Sequence, residues 1–224
     1  MQSIALVSES QEQFEDPLAY LPFSTIVEYP KGGAIYSPDQ APACFYLVIE
    51  GRVRVSRLSE TGRQFVIDIY RVDDFFGESA FLNLPDRGEL ATALETTKVM
   101  SWQVTAVADL IVRRPRLALA LLQFLTRRAT EMRQHVESLG TDTIKRRLAR
   151  ALLRFALRMG TADDGEAIRM APLTHELLSQ YVGTSREIVT YKMAELRRDG
   201  YLHYSRKGIT VFPGALRRFL RAEK

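Results

Sequence analysis

Arg186, Glu187, Thr190 and Tyr191 recur at the spacing that gathers side chains on one side of a helix. An arginine donates in pairs to guanine O6 and N7, and a carboxylate accepts from cytosine N4. Ile188, Val189, Met193 and Leu196 fall on the other side and are expected to face a core. A short helix with this polar front and apolar back is built to meet base edges in a major groove. Lys192 is a further candidate for that contact.

Such a helix needs neighbours to hold it. Thr174 is expected to cap a preceding helix and Ser185 the recognition helix, each offering a hydroxyl oxygen to free backbone N–H groups. Gly183 lies between them, where a sharp turn calls for positive φ. Beyond Leu196 the run Arg197-Arg-Asp-Gly200 ends the helix. Tyr201 to Phe212 then reads as strand, basic turn (Arg206-Lys207-Gly208) and strand, a hairpin wing. Thr174, Ser185, Arg206 and Lys207 are the candidates for phosphate contacts. An ordinary helical hairpin with a solvated Arg186–Glu187 start is the alternative, and charge weighs against it. Residues 141–224 carry 17 Lys/Arg against 9 Asp/Glu, net +8, whereas residues 1–140 carry 14 against 18, net −4. One basic part beside a mildly acidic one is the footprint of a nucleic-acid-binding domain attached to something else.

The 224 residues suffice for two compact domains. The single cysteine, Cys44, excludes a disulfide framework or a cysteine-ligated cluster within one chain and fits a reducing cytoplasm; it reads as a core thiol. Met1–Ser10 lacks the pattern of a signal peptide, and no apolar run reaches the roughly 18 residues of a membrane span. A cytoplasmic location with no membrane partner is expected. No Ser/His/Asp or Cys/His set, metal-ligand spacing or carboxylate pair suggests an enzyme or a metal site.

Residues 1–112 read as β structure: 26–29, 45–49, 52–56, 64–70 and 97–102 are short β-rich runs between turn signals. Residues 113–140 read as one helix. Within it Leu122, Leu125, Ala129, Met132, Val136 and Leu139 alternate by three and four, the seam of a two-stranded coiled coil held for about three heptads. A helix packed on its own core is the alternative. Gly140 to Asp142 is expected to be a hinge, and residues 144–159 a second amphipathic helix lying on the helix-turn-helix, with Leu148, Leu152, Phe155 and Leu157 apolar. Residues 141–224 form the third unit.

Within the β part, Phe75-Phe-Gly-Glu-Ser-Ala-Phe-Leu-Asn-Leu-Pro-Asp-Arg87 has the makings of a ligand loop. Gly77 allows close backbone approach, Glu78 accepts from hydroxyls, and Arg87 can clamp a phosphate.

Taken in order, Lys31-Gly-Gly33, Glu50-Gly-Arg-Val-Arg-Val55, Phe76-Gly-Glu78, Arg87, Thr92 to Val99, the seam helix and Val182-Gly-Thr-Ser-Arg-Glu187 resemble the cyclic-AMP receptor protein / fumarate-nitrate regulator (CRP/FNR) superfamily of bacterial transcription regulators. The resemblance covers nearly the whole chain. It implies an α+β protein: an N-terminal cyclic-nucleotide-binding-like β-roll (jelly roll), a long dimerisation helix and a C-terminal winged helix-turn-helix. It also implies a homodimer on palindromic double-stranded DNA, with RNA polymerase as protein partner. Gly77 and Glu78 would meet an effector's ribose and phosphate and Arg87 its cyclic phosphate, with Ser79, Gly88 and Glu89 completing the effector site.

The departures bear on the effector. The family usually follows its arginine with Ser or Thr and then Ala; here Gly88 and Glu89 follow Arg87, removing a hydroxyl and adding a negative charge. The Thr–Ser pair that contacts adenine in cyclic-AMP-responsive members is Met132 and Arg133 here. Cyclic AMP, another nucleotide, another effector and no effector therefore all stay open. The sensor cysteines of the oxygen-responsive branch are absent, and no histidine falls in the roll. On the DNA side the resemblance implies TGTGA-like half-sites read by Arg186 and Glu187. Tyr191 stands where a second base-reading arginine is common. A nucleotide-sensing module acting through protein partners is the alternative outside DNA binding.

Overall fold

The computed structural model describes residues 15–38, 43–59, 62–82, 88–163 and 166–222. Two antiparallel four-stranded sheets form the roll. One holds β1 (Ile26–Tyr29), β8 (Thr97–Gln103), β3 (Cys44–Glu50) and β6 (Phe75–Phe76), in that order. The other holds β2 (Ala34–Tyr36), β7 (Glu89–Ala93), β4 (Val53–Leu58) and β5 (Gln64–Tyr70). Alternation puts Val53 and Val55 inward, where Tyr36, Tyr46, Tyr70 and Phe76 fill the interior. Their rings lie 5.0 to 5.7 Å apart for Tyr46–Phe76, Tyr70–Phe76 and Tyr36–Tyr46.

Strand β5 carries a bulge. Val55 pairs with Asp68 and Ser56 with Val66, which leaves Ile67 as the extra residue. In a regular strand Val66 and Ile69, three apart, would face opposite ways. The bulge lets both enter the core of the C-terminal part, while Asp68 and Tyr70 share the inner side with Val55 and Val53.

The β part does not run unbroken to residue 112. Residues 104–113 form helix α1 (Val104–Arg113), and Pro115 separates it from α2 (Arg116–Thr141). Leu117, Leu121 and Phe124 of α2 pack on Phe45 and Phe75, binding the helix to the roll.

The break after α2 falls at the far end of the expected 140–142 hinge. Gly140 remains helical, and the chain turns at Asp142. The Asp142 carboxylate accepts from Ser138 Oγ, Arg146 Nε and Arg150 Nε, and Thr143 caps α3 (Ile144–Met159) at the Arg146 N–H. A glycine was therefore unnecessary. In α3, Leu148, Leu152 and Phe155 are buried as expected, but Leu157 is exposed.

Helices α4 (His175–Val182) and α5 (Arg186–Arg198) pack on α3. Strands β9 (Thr161–Ala162), β10 (Ile168–Met170), β11 (Leu202–Ser205) and β12 (Gly208–Val211) form the wing sheet, and α6 (Pro213–Ala222) closes the chain. Val66 and Ile69 of the roll join the same apolar core as Leu148, Phe155, Leu178 and Tyr181. The C-terminal unit is thus seated against the roll. Among the described residues, no helix is long and apolar enough to cross a membrane.

Candidate nucleic-acid interface and effector pocket

Local capping builds the helix-turn-helix. Thr174 Oγ1 accepts from Leu177 N at 3.1 Å, and Ser185 Oγ from Ile188 N at 3.3 Å. Each such cap is worth about 1 kcal/mol. Gly183 adopts φ 75°, and its N–H and that of Thr184 both donate to Ser179 O.

Val189, Met193 and Leu196 are buried beneath α5. Ile188 departs from the expected inward side: it is 39% exposed and stands beside the polar front. Arg186, Glu187, Thr190 and Tyr191 all face solvent. The Glu187 carboxylate is hydrogen-bonded by its own backbone N–H and by Ser185, which hold its pKa below the usual range, with burial opposing weakly. It is an anion at neutral pH. Thr190 Oγ1 donates to Arg186 O and lies 2.8 Å from His175 Nδ1. Lys192 is tied to Glu195 at 2.7 Å and lies over the Tyr191 ring. Tyr191, 61% exposed, is the freer of the two. Arg206 and Lys207 occupy the exposed tip between β11 and β12, at the opposite end of the wing hairpin from its α5 connection.

The candidate effector loop begins where β6 ends. Gly77 has φ 80°, and a Cβ there would come within 2.7 Å of the Tyr46 ring, so only glycine fits. Glu78 opens a short 3-10 turn over residues 78–82. Burial raises its pKa, with Arg128 opposing. Ser79 Oγ donates to Glu89 Oε2 at 2.8 Å. The carboxylate that sequence reasoning set against Arg87 is thus engaged by Ser79. Gly88 follows with φ 61°. Arg87 itself lies outside the described residues.

Met132 and Arg133 are both exposed on α2. The α2 side chain that meets the buried polar groups of the roll is Arg128. It donates to Asp68 at 2.7 Å and to the Tyr70 hydroxyl. Burial works against the Arg128 charge, and Tyr70, Asp68 and Glu78 outweigh it. The signal for this residue was available: Leu117, Leu121, Phe124 and Arg128 continue one face of α2 by steps of four and three. Cys44 is half-buried, with its thiol pKa raised mainly by burial.

Along the expected seam, Leu122, Leu125, Met132 and Val136 are 61%, 40%, 45% and 60% exposed, and Ala129 is exposed too. Leu139 is the exception. It is half-buried, with the Gly183 turn close beside it.

A roll joined by a long helix to a winged helix-turn-helix is the build of a DNA-binding regulator. Residues 26–114 match the family model of the cyclic nucleotide-binding domain, and residues 146–219 that of the Crp-like helix-turn-helix domain. The chain is 28% identical over 185 residues to the CRP-like cAMP-activated global transcriptional regulator of Mycobacterium tuberculosis, covering 83% of each. It is 31% identical over 158 residues to the transcriptional regulator SdrP of Thermus thermophilus, covering 70% of this chain and 73% of the relative. A solved structure of a CRP/FNR-family transcriptional regulator, also from Thermus thermophilus, superposes with TM-score 0.71 and 26% identity, over 89% of this chain and all of that one. The chain belongs to the CRP/FNR family of DNA-binding transcriptional regulators.

Proposed function

We propose that this regulator acts as a symmetric homodimer joined through the α2 seam, placing two α5 helices in the major grooves of a palindromic promoter site. The observation that carries this reading is the exposed stripe Leu122, Leu125, Ala129, Met132 and Val136 on a helix otherwise bound to its roll. Apolar side chains in a heptad row find their burial in a second copy. In each half-site Arg186 donates to guanine, Glu187 accepts from cytosine, and Tyr191 and Thr190 contact the neighbouring step. Thr174, Ser185, Arg206 and Lys207 hold the phosphates. RNA polymerase is the partner that a promoter-bound dimer would engage. Residues 1–112 serve as the sensing unit, 113–140 as the dimer helix and 141–224 as the DNA-binding unit.

We further propose that a small effector, cyclic AMP or another nucleotide, enters the roll at Gly77, Glu78 and Ser79, opposite Arg128. Gly77 permits close backbone approach there, and Glu78 offers an acceptor for a ribose hydroxyl. Met132 and Arg133 lie on the outward side of α2, so across the seam they would serve the partner's pocket rather than their own. An effector acts only by favouring one arrangement of roll and helix over another. Regulation without an effector is the second reading. It is favoured by Glu89, whose carboxylate occupies the Ser79 hydroxyl and puts negative charge beside the place of a ligand phosphate.

Fluorescence anisotropy of a labelled TGTGA-type palindrome, with and without cyclic AMP and against a scrambled duplex, tests both. Tighter binding with cyclic AMP to the palindrome alone supports the effector reading. Equal binding without it supports the second. No preference for the palindrome in either state overturns the half-site assignment.

A further inference from the structure

The charged groove between the C-terminal half of α2 and the helix α3 has no part in the function above. Its volume is about 730 Å³, within the range of sites that take nucleotide-sized ligands. Six arginines line it: Arg71, Arg127, Arg147, Arg150, Arg154 and Arg158. Three carboxylates do so as well: Glu131, Glu137 and Asp142.

The pairing is uneven. Asp142 takes Arg150 and also Arg146 from behind. Arg154 and Arg158 are held by Asp68, with Glu131 and Asp74 as second partners. Arg71 and Arg147 have no carboxylate partner among the described residues. Arg147 spends its donors on the backbone oxygens of Asp142 and Val182. Arg127, 72% exposed, reaches Glu131 only at 3.6 Å, while Arg154 holds that carboxylate at 3.0 Å. Positive charge thus outweighs negative even with Glu137 counted.

An aromatic pair stands at the floor of the groove. His135 lies 4.4 Å from the Tyr181 ring, and both line the groove. Finally, apart from Leu139, which borders both, the groove lies away from the seam. Arg127 and Gln134 stand two residues from Ala129 and Val136, about 200° around the helix. A second copy on the seam leaves this face open.

We propose that this groove is a second ligand site, for a polyphosphate anion of nucleotide size, bridging α2 and the DNA-binding unit. Arg71 and Arg127 clamp phosphates, because each presents an exposed planar donor fork not already locked to a buried carboxylate. A base or sugar lies toward His135 and Tyr181. A ligand here touches both α2 and α3, so it stabilises whichever arrangement of the two closes around it.

The test is calorimetric titration of the full-length protein with ATP and, separately, inorganic triphosphate at low salt, for the wild type, Arg71→Gln and Arg127→Gln. Each substitution is expected to weaken both probes at least tenfold while leaving ATP-free DNA binding at the wild-type level. Saturating cyclic AMP should not displace ATP, although it can shift the ATP affinity by linkage. The proposal is overturned by the absence of binding, by variants that bind as the wild type does, or by competition from cyclic AMP, which would move ATP into the roll. Loss of ATP binding in Arg206→Ala would move it to the DNA-binding face and overturn the proposal equally.

Discussion

Arg128 of α2 donates to Asp68 of β5 at 2.7 Å, and Asp68 is 2% exposed. The same carboxylate oxygen accepts from Arg154 at 3.0 Å and from Arg158 at 2.8 Å, both on α3. One buried anion therefore ties the roll, the long helix and the DNA-binding unit together. Burial alone would raise its pKa; Arg158, Arg154 and Arg128 together bring it below the usual carboxylate value.

Asp68→Asn should accordingly cost about 3–5 kcal/mol, the penalty for leaving buried charges unpaired. Urea denaturation measures the loss. Hydrogen exchange should accelerate first in β5 and α3, where the seating is broken. Unchanged exchange in both would show that Asp68 does not hold the two units together.

Arg186→Ala is expected to weaken the specific site by about 1–3 kcal/mol and to relax preference at one base pair. Binding-site selection with the variant reads this directly. An equal loss on every sequence would reassign Arg186 to the backbone.

Arg206→Ala should behave in the opposite way. The wing tip is expected to meet phosphate, so affinity falls on all sequences and the salt slope drops by about one ion's contribution. Anisotropy titrations across a salt series supply the slope.

The turn at Asp142 sets an acid limit. Hydrogen bonds from Arg150, Arg146 and Ser138 outweigh burial and bring its pKa to about 2. Its pKa is lower folded than unfolded, so its contribution is complete above the ordinary aspartate value and disappears as pH falls toward the folded one. Roughly 2 kcal/mol of stability should go between about pH 4 and pH 2. Asp142→Asn should flatten that part of the pH–stability curve.

Leu122→Glu tests the seam. Leu122 is 61% exposed in the single chain, so the fold should survive. Sedimentation should show a monomer, and affinity for the full palindrome should fall toward that for a half-site. A variant that still sediments as a dimer would move the interface elsewhere.

What could be read from the sequence was local. The caps at Thr174 and Ser185 and the turn at Gly183 act within four residues, and α3 and β5 matched their expected limits. Strands β2 and β6 are too short for alternation to register. Helix α1 was hidden in an apolar run that suits strand as well as helix. The Asp68 cluster was beyond reach because its partners lie 60, 86 and 90 residues away. Nothing in a local pattern distinguishes Arg154 from the other arginines of α3. At the pocket the resemblance directed attention to Met132 and Arg133, while the simple continuation of the buried face pointed to Arg128.

Helix α2 runs without interruption for 26 residues. Three of its faces have different surroundings: Leu122 faces out on the proposed seam, Arg128 meets Asp68, and Glu131 meets Arg154. Each added residue turns everything beyond it by about 100° and advances it by about 1.5 Å. A seven-residue insertion between Arg128 and Glu131 would restore the faces to within about 20°. It would also carry Glu131 roughly 10 Å along the axis, away from Arg154, whose unit is fixed at Asp68. The coding segment for this helix can therefore drift in the identity of its solvent-facing codons, but its length is frozen.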